Sequence, residues 1–470
     1  MLNPVTEAFE AELRAILPAA AFKDASEAYF TESRARWHGH GLVVAPASTE
    51  EVAAVVKACS NVGVAVVPYG GGTGLVGGQI LQDGPKPVVL SLERMTTIRD
   101  VYPAEDVIVV DAGVILADIQ QAARDIDRLF PLSLASEGSA RIGGLLSTNA
   151  GGVNVLRYGN ARAQCLGLEV VLPDGTIWNG LSRLHKDNTG YDLRNLIIGA
   201  EGTLGVITAA ALKLAPQPAS TGAAMMSLAS PEAALKLLAL AKGQMAEGIS
   251  AFELIHRQGF DFLDAVGPEY RKPFNDTPEW TVLIDVGLSA GLKADEALMT
   301  LFEAAVAEGL ASDGVIAQSD TQRDAFWHIR ESIPEANRRI GSVSSHDISM
   351  PISCIPDFIA EGPGRLATVG NFRINCFGHL GDGNLHYNVF PQEGETREDH
   401  VESRDAIKRT IHDLVHEFGG SVSAEHGVGR LKVADLERYA DPAKLQMMRA
   451  IKAALDPKGI MNPGAVLRAD

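Results

Sequence analysis

Two short stretches hold most of the chemistry in this chain: Gly378-His379-Leu380-Gly381-Asp382-Gly383-Asn384-Leu385-His386-Tyr387-Asn388 and Ala424-Glu425-His426-Gly427-Val428-Gly429. His379, His386 and Glu425 are imidazole and carboxylate groups of the kind that can hold a divalent ion. Three protein ligands with one position left open is the usual arrangement of a catalytic zinc. The ligand types suit zinc, manganese or cobalt, and zinc is the expected ion. His426 is then left over as an acid or base of near-neutral pKa. The surrounding glycines cost backbone entropy, so the main chain here is expected to turn sharply or to approach something closely. The same composition also occurs in plain loops whose imidazoles are merely hydrogen-bonded. Cys376, three residues before His379, competes as a softer ligand.

Something must bring these groups together. A helix is a poor candidate, because Gly381 and Gly383 lie between the two histidines. A turn followed by a strand does it, with His386, Asn388 and Phe390 on one strand face. Adjacent residues of a strand point to opposite faces, so Glu425 and His426 serve one site only where the chain bends, and Gly427 and Gly429 permit that. Which of the two is ligand and which is base stays open at this point.

The rest of the chain reads as mixed α and β. Ser48-Thr49-Glu50-Glu51 is a capping box, followed by Val52, Val55, Val56 and Cys59 at helical spacing and stopped by Gly63. Strands are expected at Val64 to Val67 and Val107 to Val110, with a helix over Leu116 to Arg124. Pro216 and Pro218 mark a domain junction. Beyond it, helices near Ala233 to Ala241 (entered through Ser230 and Pro231) and Ala294 to Ala307 alternate with strand-like runs at Ala251 to Ile255 and Thr281 to Val286. That pattern predicts a smaller α+β domain with an antiparallel sheet. A last helix spans Ala443 to Ala454. The expected domains are 1–217, 218–420 and 421–470.

Four Gly/Ser/Asn-rich segments crowd the first part. The first runs Pro68, Gly70, Gly71, Gly72, Thr73, Gly74, Leu75, Gly77, Gly78 and contains a literal G-x-G-x-x-G. No helix is expected after it, which argues against a Rossmann diphosphate site, and no Lys-Ser or Lys-Thr follows for a P-loop. Successive N–H groups can still cradle a diphosphate. The second set holds Ser136, Gly138, Ser139, Ile142, Gly143 and Gly144, then Asn149, Gly151 and Gly152. Tyr158 follows in Arg157-Tyr158-Gly159, and Glu201, Gly202 and Gly205 close the series. So many loops suggest a long ligand touched by backbone at many points.

The 470 residues are too many for one ordinary core, and the composition is globular at 46% hydrophobic and 21% charged. A net charge of -18 argues against a nucleic-acid or anionic-membrane surface. Cys59, Cys165, Cys354 and Cys376 form no C-x-x-C, which fits a reducing compartment, and a cytoplasmic location is expected. The acidic start lacks a secretory signal, and no apolar run is long enough to span a bilayer.

The ordered series PYGGGTGLVGG, PLSLASEGSARIGG, TNAGG, RYG, LGLEVVLPDGT, KDNTGYDL and IGAEGTLGVIT resembles the flavoprotein superfamily of vanillyl-alcohol oxidase and p-cresol methylhydroxylase. FGHLGDGNLHYNV and SAEHGVGRLK narrow the resemblance to its D-2-hydroxyacid dehydrogenase branch, near the enzymes of D-2-hydroxyglutarate and, close by, of D-lactate. It covers nearly the whole chain. It implies an α+β fold: an FAD-binding domain of two subdomains, a substrate domain with an antiparallel sheet and helices, and a C-terminal helical segment that returns to the flavin. FAD is expected to be non-covalent, because the PYGGGTG loop offers no His or Cys. The resemblance adds Ile207 and Asn462 to the flavin contacts and puts the metal on His379, His386 and Glu425. It makes His426 the base, and Arg330 and Asn388 contacts of the substrate. A homodimer is expected, with an electron-transfer flavoprotein or a quinone as acceptor.

Two positions depart from the hydroxyglutarate pattern: Pro334 replaces a Thr, and Ser345 replaces a substrate-binding Lys. Oxidation of D-2-hydroxyglutarate or a similar hydroxy-dicarboxylate is the leading expectation. D-lactate or glycolate is the alternative within the class. A non-redox flavoprotein like the ether-lipid synthases is the alternative outside it.

Overall fold

Local signals set the first elements. Ser48 Oγ accepts the N–H of Glu51, and the Glu51 carboxylate reaches back to the N–H of Ala47, so helix Thr49–Val62 starts from a side-chain cap. The computed structural model describes residues 2–35 and 37–469, and the chain within it divides into two compact units.

The first unit takes the chain up to Gly152, then Gly159–Gln217, and the segment from Glu425 onward. It carries a three-stranded parallel sheet in the order Leu42–Val44, Val88–Ser91, Val66–Tyr69. A separate antiparallel sheet follows the order Ile98–Tyr102, Val107–Asp111, Val206–Lys213, Cys165–Val171, Ile177–Gly180. One hydrophobic cluster joins them, through Val52, Val56, Val66, Leu90, Ile108, Leu168 and Leu212. The expected strand at Val64 to Val67 is displaced to Val66–Tyr69. The second Gly-rich set is not all loop, because Ile142–Ser147 forms a short helix whose Ile142 and Leu146 are buried.

The second unit takes Val153–Tyr158 and Pro218–Ala424. Its seven-stranded antiparallel sheet runs Ala311–Ile316, Ser220–Leu228, Trp280–Leu288, Ile249–His256, Arg373–His379, Asn384–Phe390, Ser344–Ser349. Helices cover both faces. Pro231–Met245, Ala294–Ala307, Ile355–Leu366 and Arg404–Glu417 pack on one core, while Arg257–Val266 and Asp320–Ile340 pack on the other. The strand Ser344–Ser349, of sequence SSHDIS, has no apolar alternation and carries no sequence signal for a strand.

Candidate active site

In the second unit both histidines sit on one hairpin. His379 ends strand Arg373–His379, a single turn of Leu380–Asp382 follows, and His386 lies in strand Asn384–Phe390. The expected turn-then-strand is therefore a pair of strands joined by the turn. The rings lie 5.5 Å apart, edge to face. Side chains paired across antiparallel strands share a face. One row is Asp347, His386 and Phe377, and the next is Ser345, Asn388 and Asn375. Glu253 is paired with His379 on the far side. Strand parity turns Cys376 the other way, into the core with Tyr387, where burial raises its thiol pKa. That overturns Cys376 as a competing ligand.

Glu253 is the candidate residue that motif reading misses. Its two carboxylate oxygens take different partners. Oε1 accepts from His379 Nδ1 at 2.7 Å, and Oε2 accepts from Arg330 Nε at 2.7 Å. Burial pushes its pKa up, but the opposing charges of His379 and Arg330 outweigh this and hold it down at about 2. An ionised carboxylate only accepts, so Nδ1 of His379 donates to it, and Nε2 is the nitrogen that can offer a lone pair to an ion once the ring gives up its second proton. A signal was present: Glu253 is a lone charge in the apolar run Ala251-Phe252-Glu253-Leu254-Ile255, and such a group needs a partner.

Arg330 lies in helix Asp320–Ile340, buried to 6% exposure, with its guanidinium carbon 4.8 Å from the centre of the Phe377 ring. Only its Nε is spent on Glu253. Among the described residues its two terminal nitrogens donate to no protein group. A buried guanidinium with an open fork is built to take a carboxylate. In the next row Asn388 is buried and donates to the carbonyls of His386 (3.1 Å) and Asn375 (3.5 Å), and Asn375 donates to Asn337 at 2.9 Å. Ser345 is exposed and shares a hydroxyl contact of 2.8 Å with Ser342.

In the first unit the PYGGGTG segment shows a one-sided pattern. The carbonyls of Gly72, Gly74, Val76, Gly77 and Gly78 all accept hydrogen bonds within the protein. Among the described residues, no N–H from Gly70 to Gly78 donates to a protein group. A run of unspent N–H groups fits a diphosphate. Gly71 is required for a second reason. A Cβ there would sit 3.1 Å from the Ala140 Cα, so this loop packs backbone to backbone on the Ser136–Gly144 segment.

The Glu425-His426 segment belongs to the same unit. His426 Nε2 lies 3.6 Å from Glu425 Oε1. Just after it, Glu201 Oε1 accepts from the Val428 N–H at 2.7 Å and Oε2 from the Gly429 N–H at 2.8 Å. Gly427, at φ 81, leaves room for this, since a Cβ would meet Glu201 Oε1 at 2.7 Å. Burial raises the Glu201 pKa in spite of the two amides and Arg430. Asn462 is likewise turned to the protein. Its amide donates to the carbonyls of Gly78 (2.9 Å) and Glu201 (2.8 Å) and accepts from Arg430 at 2.7 Å. The residue before Glu425, Ala424, donates its N–H to the carbonyl of Asp347 at 3.3 Å, and Asp347 is paired with His386.

Other expected flavin contacts fall as follows. Ile142 and Gly143 spend their N–H groups on the carbonyls of Val114 and Ala112. Ile207 is buried in strand Val206–Lys213, and Asn149 accepts from the Arg162 N–H at 3.0 Å. Tyr158 closes helix Val155–Tyr158 in the second unit, with Arg157 over its ring.

Comparison with known proteins gives the class. Residues 41–180 match the FAD binding domain, and residues 217–466 match the C-terminal domain of FAD linked oxidases. The chain belongs to the FAD linked oxidases. It is 37% identical to the D-2-hydroxyglutarate dehydrogenase of Xanthomonas citri pv. viticola, over 93% of this chain and 92% of that one. It is also 37% identical to the mitochondrial D-2-hydroxyglutarate dehydrogenase of Rattus norvegicus, over 91% of this chain and 78% of that one. The crystal structure of p-cresol methylhydroxylase superposes with a TM-score of 0.74 over 100% of this chain and 99% of that one, at 16% identity, which shows the shared fold.

Proposed function

We propose that this chain oxidises a D-2-hydroxyacid, D-2-hydroxyglutarate or a similar hydroxy-dicarboxylate, to the 2-oxoacid. FAD, when bound, supplies the acceptor for the hydride from C2. A divalent ion, when bound, supplies Lewis acidity at the substrate hydroxyl. His379, His386 and Glu425 would hold the ion, and the unspent N–H groups of Gly70 to Gly78 would hold the diphosphate of FAD. The open fork of Arg330 carries the reading: it grips the substrate carboxylate and fixes which face of C2 is presented. Asn388 contacts the substrate from the neighbouring row. The imidazole of His426 takes the hydroxyl proton.

A second reading within the class has specific support. The row Ser345, Asn388, Asn375 ends in Asn337 and holds no cation for a second carboxylate. That favours a monocarboxylate such as D-lactate or glycolate. We further infer non-covalent FAD, a homodimer, a cytoplasmic location and an electron-transfer flavoprotein or quinone as final acceptor. Cys59, Cys165 and Cys376 are buried free thiols, which suits a reducing compartment. No helix among the described residues is long and apolar enough to cross a membrane.

The deciding experiment is an anaerobic screen of flavin bleaching over D- and L-2-hydroxyacids, with metal analysis of the same protein. Bleaching by D-2-hydroxyglutarate supports the first reading, and bleaching by D-lactate or glycolate alone supports the second. Flavin that none of them reduces overturns both and leaves a non-redox flavoprotein. Flavin retained on acid-precipitated protein overturns non-covalent binding.

A further inference from the structure

Glu253 has no place in the reaction as proposed, yet it is bonded to both a proposed metal ligand and the proposed carboxylate grip. It sits in the middle of strand Ile249–His256, with no exposed surface. Strand Arg373–His379 lies beside it in register, so Glu253 faces His379 directly. Helix Asp320–Ile340 crosses this face and delivers Arg330 to the other carboxylate oxygen.

Two physical consequences follow. A carboxylate accepting from Nδ1 fixes the ring orientation of His379 and leaves Nε2 as the only ring atom able to bind an ion. The same carboxylate holds Arg330 by Nε and so aims the two terminal nitrogens. Because the two oxygens of one rigid group make both contacts, the separation of His379 and Arg330 is set by the width of a carboxylate. Asn375, which pairs with Asn388 in the adjacent row, has no comparable charged partner.

We infer that Glu253 is a positioning residue that couples the metal ligand His379 to the carboxylate-binding Arg330, holding ion and substrate carboxylate at a fixed spacing. This rests on the reading of His379 as a ligand and Arg330 as the grip. It predicts a joint loss: weakening one carboxylate must loosen both the ion and the substrate.

The test uses the full-length flavoprotein, wild type and Glu253→Gln, stripped by chelation. Zinc is returned in competition with a chromophoric chelator, and cobalt is returned for its visible spectrum. Glu253→Gln should bind zinc about 10–100-fold more weakly, the usual cost of losing such a supporting group. The cobalt bands should shift. KM for the bleaching D-2-hydroxyacid should rise more than kcat falls, because the grip is loosened. A folded, FAD-replete Glu253→Gln with wild-type zinc affinity, cobalt spectrum and KM overturns the proposal. Should Glu253→Gln fail to fold, Glu253→Asp decides, since it keeps the buried charge but withdraws it by one methylene. Weakened zinc binding in it supports the coupling, and wild-type binding overturns it. A wild type that takes up neither ion sinks the metal reading itself, a result distinct from either variant outcome.

Discussion

Each unit of this protein buries one glutamate against a segment that carries the proposed chemistry, and the two are held in opposite ways. In the second unit Glu253 faces charged side chains, His379 and Arg330, and its pKa is low. In the first unit Glu201 faces backbone, the N–H groups of Val428 and Gly429, and burial keeps its pKa raised. Two neutral amide dipoles offset the burial of a carboxylate less well than an adjacent guanidinium and imidazole do. The difference also divides the work. Glu253 orients the side chains proposed to hold ion and substrate, whereas Glu201 shapes the loop that carries Glu425 and His426.

The largest effect should come from the loop itself. With His426 as the base, His426→Asn should slow anaerobic flavin reduction by about a hundred- to ten-thousand-fold. Metal and FAD contents should hardly move, because Glu425 and the glycines remain. Loss of metal in this variant, with metal kept after Glu425→Gln, would mean the two neighbours hold each other's roles.

Next comes Arg330. Arg330→Ala strips Glu253 of its guanidinium and leaves a buried charge short of a partner, which costs about 3–5 kcal/mol. Arg338 is exposed and among the described residues pairs only with Glu335 on the same helix, so Arg338→Ala is the control and should cost almost nothing. Denaturant melts of both variants check this. Equal losses would show that the Glu253 pair contributes no more than a surface bridge.

The Glu201 variant should be milder in the cold and different in pH response. Glu201→Gln turns one acceptor into a donor that faces an N–H, at about 1–3 kcal/mol. The wild-type carboxyl has a raised native pKa, so its contribution is fully present below the ordinary carboxylate range and is lost as pH rises through the native value. The stability gap between wild type and variant should therefore narrow as pH rises. Glu169 supplies the opposite sign in the same unit. Burial raises its pKa, but Arg99 and the hydroxyls of Thr49 and Thr208 lower it further, so Glu169→Gln should remove stability above the carboxylate range and flatten the loss in acid. Thermal melts across pH read both, and parallel curves for the two variants would contradict the contrast.

Much of this was legible where the signal is local. The Ser48 cap, the helices Leu116–Arg124 and Ala294–Ala307 and the apolar strands of both units follow from spacing alone. The histidines, Glu425 and the glycine segments announce themselves by type. What stayed hidden depends on pairs distant in sequence. Glu253 lies 126 residues before His379 and 77 before Arg330, so neither bond leaves a motif. Arg330 in isolation reads as a surface helix residue, and only the fold buries it. Cys376 reads as a ligand until strand parity turns it away, and the polar strand Ser344–Ser349 forms because its neighbour Asn384–Phe390 offers a free edge.

The smallest predicted effect concerns the uncharged row, where the contrast between charged and neutral partners can be rewritten by one residue. Ser345 stands in register with Asn388 and is exposed, so a longer side chain there can reach out without displacing core. Its side-chain partner among the described residues is the hydroxyl of Ser342. Ser345→Lys would place an ammonium at the end of a row that otherwise offers only amides. An exposed ion pair contributes about 0.2–1 kcal/mol, so the ratio of kcat/KM for D-2-hydroxyglutarate over D-lactate should rise by up to about fivefold. The gain should shrink at high salt, since the charge is open to solvent. D-lactate has no second carboxylate and serves as the internal reference, and its own kcat/KM should stay put. A ratio that does not move, or a gain indifferent to salt, would show that the distal end of the substrate lies elsewhere and that this row plays no part in choosing between mono- and dicarboxylates.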